Sequence, residues 1–170
     1  MTAEAHLAIR FSKGRDGPKT LSCVRPDGST TWSKVSEFFP VHDLTHYVVE
    51  TTLGLDGAFF GLIRSGWSIQ DFESPGASKR TPPEAILAEV MVGVLQREVL
   101  LRQGSTADSY NREVSAAMEG LAQPIRREVS AEELVTMRSR LEASIASWKS
   151  IAPGECLELR FPLKGAPSDS

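Results

Sequence analysis

The sequence is short of most residues that announce a mechanism. It has two cysteines, Cys23 and Cys156, and no CxxC pair, so a structural zinc ribbon is excluded. No GxSxG elbow, P-loop or GxGxxG occurs, which leaves serine-hydrolase, NTPase and dinucleotide-binding readings without support. No apolar run approaches the ~20 residues of a membrane span. Met1 to Arg10 also lacks the apolar stretch of a secretory leader. Excess positive charge is missing too: 19 basic against 22 acidic residues leave a net charge of −3, whereas proteins that neutralise nucleic-acid phosphates are normally basic. The expectation is a cytoplasmic protein with neither nucleic acid nor membrane as partner and with reduced thiols. Both cysteines fall in strand-like segments and read as small core hydrophobes. A Cys–His nucleophile pair is the alternative.

What remains has an ordinary globular composition. The chain of 170 residues is 41% hydrophobic and 24% charged, which fits one folded domain. That domain is expected over residues 1–163, with a disordered tail over 164–170. Alternation at a period of two marks a strand at Leu7-Ala8-Ile9-Arg10-Phe11. Leu21 to Val24 and Thr30 to Ser33 follow as strands, separated by the turn Arg25-Pro26-Asp27-Gly28. Leu157-Glu158-Leu159-Arg160-Phe161 alternates in the same way at the far end of the chain. A lone strand leaves its backbone unsatisfied, so it is expected to join the N-terminal meander, next to the first strand.

The middle of the chain reads as helices over 41–53, 58–66, 82–103, 107–122 and 130–151. Thr81-Pro82-Pro83-Glu84 and Ser130-Ala131-Glu132-Glu133 both resemble capping boxes. The final helix carries Leu134, Met137, Leu141, Ile145 and Trp148 at spacings of three and four. Residues 74–83 read as a loop rich in Ser, Pro and Gly. Strands segregated from helices give an α+β class, an antiparallel sheet of the meander plus the C-terminal strand packed against four or five helices.

One segment carries chemistry: Val41-His42-Asp43-Leu44-Thr45-His46-Tyr47-Val48-Val49-Glu50. Two of the three histidines lie four apart on a predicted helix, where neighbouring Cβ atoms are about 5–6 Å apart. His42, His46 and Glu50 fall within a wedge of roughly 80°. They are candidate ligands for Zn²⁺ or another divalent transition metal such as Fe, Mn or Ni. From Val35 to Gly76 six acids face Arg64 alone, a local balance that favours a cation. The opposite case is structural. Asp43 would be a helix-start carboxylate, His42 a backbone cap and His46 a satisfied core-edge residue, while the acidic segment would simply attract the basic residues of the sheet.

The segment resembles the HExxH motif of zinc hydrolases with Asp in place of Glu. That resemblance implies His42 and His46 as ligands and Asp43 as general base on a metal-bound water. Glu50 would be the third ligand or a partner behind one. The longer string from Phe38 to Glu50, with Gly57-Ala58-Phe59-Phe60-Gly61-Leu62-Ile63 after it, resembles small bacterial proteins with no established activity. This implies a bacterial origin and no chemistry. Two functions are therefore expected to compete. One is a metal-dependent hydrolase of a small molecule or a protein. The other is a non-catalytic interaction or structural protein, with apolar helix faces left for a partner, a second copy (homo-oligomer) included.

Overall fold

A computed structural model describes residues 5–36, 39–121 and 125–163. The expected tail over 164–170 lies outside them. Four strands, β1 (His6–Ser12), β2 (Lys19–Val24), β3 (Thr30–Val35) and β4 (Cys156–Pro162), form one antiparallel sheet in the order β3-β2-β1-β4. The two strands from opposite ends of the sequence are adjacent. Leu7, Ile9 and Phe11 face Phe161, Leu159 and Leu157 across the β1–β4 ladder. Equal spacing of apolar residues on both strands puts them on one face, since a one-residue slip would turn one set to solvent. Leu7, Ile9, Phe11, Leu21 and Cys23 are buried on that face. Arg10 and Glu158 pair at 2.8 Å on the other, exposed face.

Between β3 and β4 lie α1 (Phe39–Leu53), α2 (Phe59–Arg64), α3 (Ala77–Arg80), α4 (Pro83–Leu101), α5 (Ala107–Met118) and α6 (Ala131–Ser150). The fold is thus the expected α+β class, with the short α3 inside the segment read as a loop. A single-turn 3₁₀ helix over Ile69–Phe72 precedes it. Helix α1 packs against both α4 and α6, and one continuous apolar core runs from the sheet through the long helices. The predicted face of α6 (Leu134, Met137, Leu141, Ile145, Trp148) is its buried face. Trp148 meets Phe11 edge-on at 6.3 Å between ring centroids.

The ends of the elements follow local chemistry, with two departures from expectation. Ser130 and Glu133 close the capping box of α6. Thr81 does not cap α4. Its hydroxyl donates to the Ala77 carbonyl, Pro82 takes the cap position, and Glu84 instead accepts a hydrogen bond from the Gly57 backbone N–H. Cys156 is exposed rather than buried, because it opens β4 in register with Ser12 on the solvent face. Helix α1 ends at Gly54, whose φ of 67° lies in the left-handed region. The Leu55 N–H then reaches back to the Glu50 carbonyl, a closure that glycine permits without steric cost.

The burial pattern of α6 makes a direct prediction. Leu141 is fully buried and Val135 is 64% exposed. Leu141→Ala is expected to cost about 2–5 kcal/mol, and Val135→Ala less than about 0.5 kcal/mol. Urea denaturation of the two variants checks this, and similar midpoints for both would contradict the packing described.

Candidate metal centre

Helix α1 places His42, Asp43, His46 and Glu50 on one side. Both Leu44 and Val48 are fully buried in the core. The two imidazoles lie edge to face, 4.8 Å between ring centroids, and both reach a carboxylate from another helix. His46 Nε2 is 2.9 Å from Glu89 Oε2, and His42 Nε2 is 3.3 Å from Glu89 Oε1. His42, His46 and Glu89 each offer one ligand atom, all within 4.8 Å of one another. Tetrahedral bonds of 2.0–2.1 Å would set ligand atoms about 3.4 Å apart, so the trio is near the spacing at which it could hold one ion.

Glu50, expected as a ligand, occupies a different position. Its side chain is fully buried. His46 Nδ1–H donates to Oε1 at 3.2 Å, and the backbone N–H groups of Phe60 and Gly61 donate to Oε2 at 2.9 and 3.2 Å. Those N–H groups belong to the first turn of α2, where Ala58 gives no side-chain cap. Glu50 therefore caps one helix from the end of another, and an anion is favoured there. With both oxygens engaged, Glu50 holds the far side of the His46 ring instead of standing with the converging atoms. Glu50 thus stands behind the His46 ring, on the side away from Glu89. Gly61 is needed for this fit, since a Cβ there would lie 1.9 Å from the Asp56 carbonyl oxygen.

His42 is held in the same manner. Its Nδ1 lies 3.2 Å from Gln96 Oε1, and its Nε2 faces Glu89. Glu89 and Gln96 are seven residues apart on α4 and so share one face. Neither was found from the sequence. The available signal was two polar residues two turns apart within the mostly apolar middle of α4, but nothing in the sequence shows that this face meets α1.

Asp43 is buried, lines the same cleft as both histidines and Glu89, and takes no hydrogen bond from a described residue. It sits in the second turn of α1, so it is not the helix-start carboxylate of the structural alternative. Among the described residues, the partners of the His42 ring nitrogens are the side chains of Gln96 and Glu89 rather than a backbone group. The cleft has a volume of about 430 Å³ and opens between α1, β3 and the 3₁₀ turn.

Burial raises the Asp43 carboxyl to about 6, against the attraction of His46 and His42. For His46 burial acts downward, but the hydrogen bonds to Glu50 and Glu89 together outweigh it and hold the ring at about 9. Glu89, bonded by His42 and His46, is held well below the usual carboxylate range. Burial raises Glu50, opposed by His46 and the two backbone N–H groups.

No family model, curated protein or solved structure matches the chain.

A pH dependence follows. His46 keeps its proton to about 9 when folded and to about 6.5 when unfolded. Its contribution is complete below 6.5 and is lost as pH rises to about 9, by up to about 3 kcal/mol. The Asp43 carboxyl has ionised by then. Urea denaturation with chelator at pH 6.5 and 9 is expected to show this loss, and Glu50→Gln to shrink it. A flat profile would contradict the buried ion pair.

Proposed function

We propose that the chain binds a divalent transition metal through His42, His46 and Glu89 and uses it for hydrolysis, with Asp43 as the proton acceptor. The observation that carries the proposal is the direction of the two rings. Each imidazole turns one nitrogen toward Glu89, while its other nitrogen is held by a separate side chain, Glu50 or Gln96. Metal-binding histidines are commonly oriented in this way, because a partner on the far nitrogen sets the tautomer and aims the ring. Two imidazoles and one carboxylate suit zinc in hydrolytic sites and iron in oxygenases. The resemblance to HExxH favours the first.

When bound, such an ion acidifies a water in its open position and polarises a substrate oxygen. The chain supplies the rest. Asp43 lines the cleft beside these residues with no competing hydrogen bond from a described residue, so its carboxylate is available to take a proton and return it to the leaving group. Glu50 keeps the His46 ring from turning, and Gln96 does the same for His42. Membership of the bacterial proteins it resembles and a cytoplasmic location stay part of this proposal. Among the described residues, no helix is long and apolar enough to cross a membrane.

Elemental analysis of protein purified without a histidine tag, followed by calorimetric titration with Zn²⁺ and Co²⁺, tests the proposal. About one ion per chain is expected, with binding abolished by His42→Ala combined with His46→Ala. Glu50→Gln is expected to lower affinity about 10- to 100-fold. Affinity should also rise with pH toward 9, as the ion competes with the His46 proton. Substoichiometric metal that the double substitution leaves unchanged would overturn it. In that case a second reading stands, supported by the ring nitrogens that already have side-chain partners. The network would then be a polar brace joining α1, α2 and α4 in a non-catalytic protein.

A further inference from the structure

The cleft above the candidate centre has two kinds of wall. At its floor are the ligating side chains and Asp43. Beside them the wall is apolar, built from Leu21 of β2, Phe59 of α2, and Ile69 and Phe72 of the 3₁₀ turn. The aromatic part starts at the site itself. The Phe59 ring lies 5.5 Å from the His46 ring and 4.7 Å from that of Phe72. Phe72 in turn rests on Trp67 at 5.1 Å, and the Arg80 guanidinium covers Trp67 at 5.2 Å.

Two physical points follow from this arrangement. First, Phe59 and Phe72 are only partly buried, so apolar ring surface beside the ligands is left for something else to cover. Covering such surface is favourable in proportion to its area. Second, the wall is preformed. Phe72 is backed by Trp67, Ile69 is pinned through its N–H to the Thr31 hydroxyl at 2.9 Å, and Phe59 packs on Phe60 at 4.9 Å. A preformed wall lowers the ordering cost of binding. At about 430 Å³ the cleft is in the range that encloses a small molecule or one terminal side chain.

We propose that the substrate is a small amide or ester that enters this cleft by a single apolar group of aromatic size, packed on Phe59 and Phe72, with its scissile carbonyl over the His42–His46–Glu89 centre. This rests on the metal reading above and adds the substrate class to it. In the reaction, water adds to the carbonyl carbon, the bond to the leaving nitrogen or oxygen breaks, and the proton lost by water passes through Asp43 to the leaving group. No redox partner is required.

The test uses the full chain loaded with Zn²⁺ and two hydroxamates that bind metal through the same group, acetohydroxamate and phenylacetohydroxamate. Phenylacetohydroxamate is expected to bind about 10- to 100-fold more tightly, the gain from burying one phenyl group. Phe72→Ala, which touches neither histidine ring, should remove most of that difference while the Zn²⁺ titration stays the same. Nuclear Overhauser contacts from the probe's phenyl protons to the rings of Phe59 and Phe72 provide a second readout that needs no variant. The outcomes separate the two claims. If Zn²⁺ does not bind, the metal reading falls and this inference falls with it. If Zn²⁺ binds but the two hydroxamates bind equally, or the preference survives Phe72→Ala, or the contacts go to other rings, only the substrate assignment is overturned.

Discussion

The carboxylate of Glu50 is the group on which the arrangement depends. A buried charge is tolerated only where partners replace its lost hydration. Here three donors do so, one from the His46 ring and two from the backbone of α2. The same three bonds fix the angle between α1 and α2 and the orientation of His46. They also hold Phe59, the residue that opens α2, beside the His46 ring. The orientation of His46 and the packing of α2 therefore depend on one side chain. A conservative change at position 50 alters both, and so does a methyl group at position 61.

Much of the scaffold was legible because its signals are local and periodic. The alternation in β1 and β4 identified the strands and their common face, and the three-and-four spacing in α6 identified its buried side. The histidine pair was legible for the same reason, since i and i+4 on a helix are neighbours whatever surrounds them. The misreadings at the site are non-local, and those at Cys156 and Thr81 are local. Glu50 looked like a ligand because it continues the wedge of His42 and His46, and only the approach of α2 diverts it. Glu89 was invisible because its partnership depends on which face of α4 meets α1. Cys156 shares its parity with Glu158 and Arg160, so the alternation of β4 by itself turns it to the solvent face. Thr81 has the residue type of a cap, yet the two prolines after it shift the helix start by one position.

Charge was partly legible. Among the described residues, Arg25 of the N-terminal segment reaches the acidic middle of the chain through backbone carbonyls. Arg25 donates to the carbonyls of Ile63 and Trp67 near the end of α2. Arg64 divides its guanidinium between Asp56 and the Pro162 carbonyl at the end of β4. A cation beside the last carbonyls of a helix meets the negative end of its dipole. These contacts tie the turn after β2, helix α2 and the last strand together.

The order of the sheet has a kinetic consequence. Strand β1 is synthesised well before β4, yet β4 is one of its two hydrogen-bonding partners. Until Pro162 has left the ribosome, that side of β1 presents unpaired N–H and C=O groups that another chain could recruit. Contacts so far apart in sequence also make for slow closure. A folding nucleus drawn from the central helices, with the sheet sealed last, would leave a nascent chain most prone to intermolecular strand pairing immediately before its synthesis reaches β4.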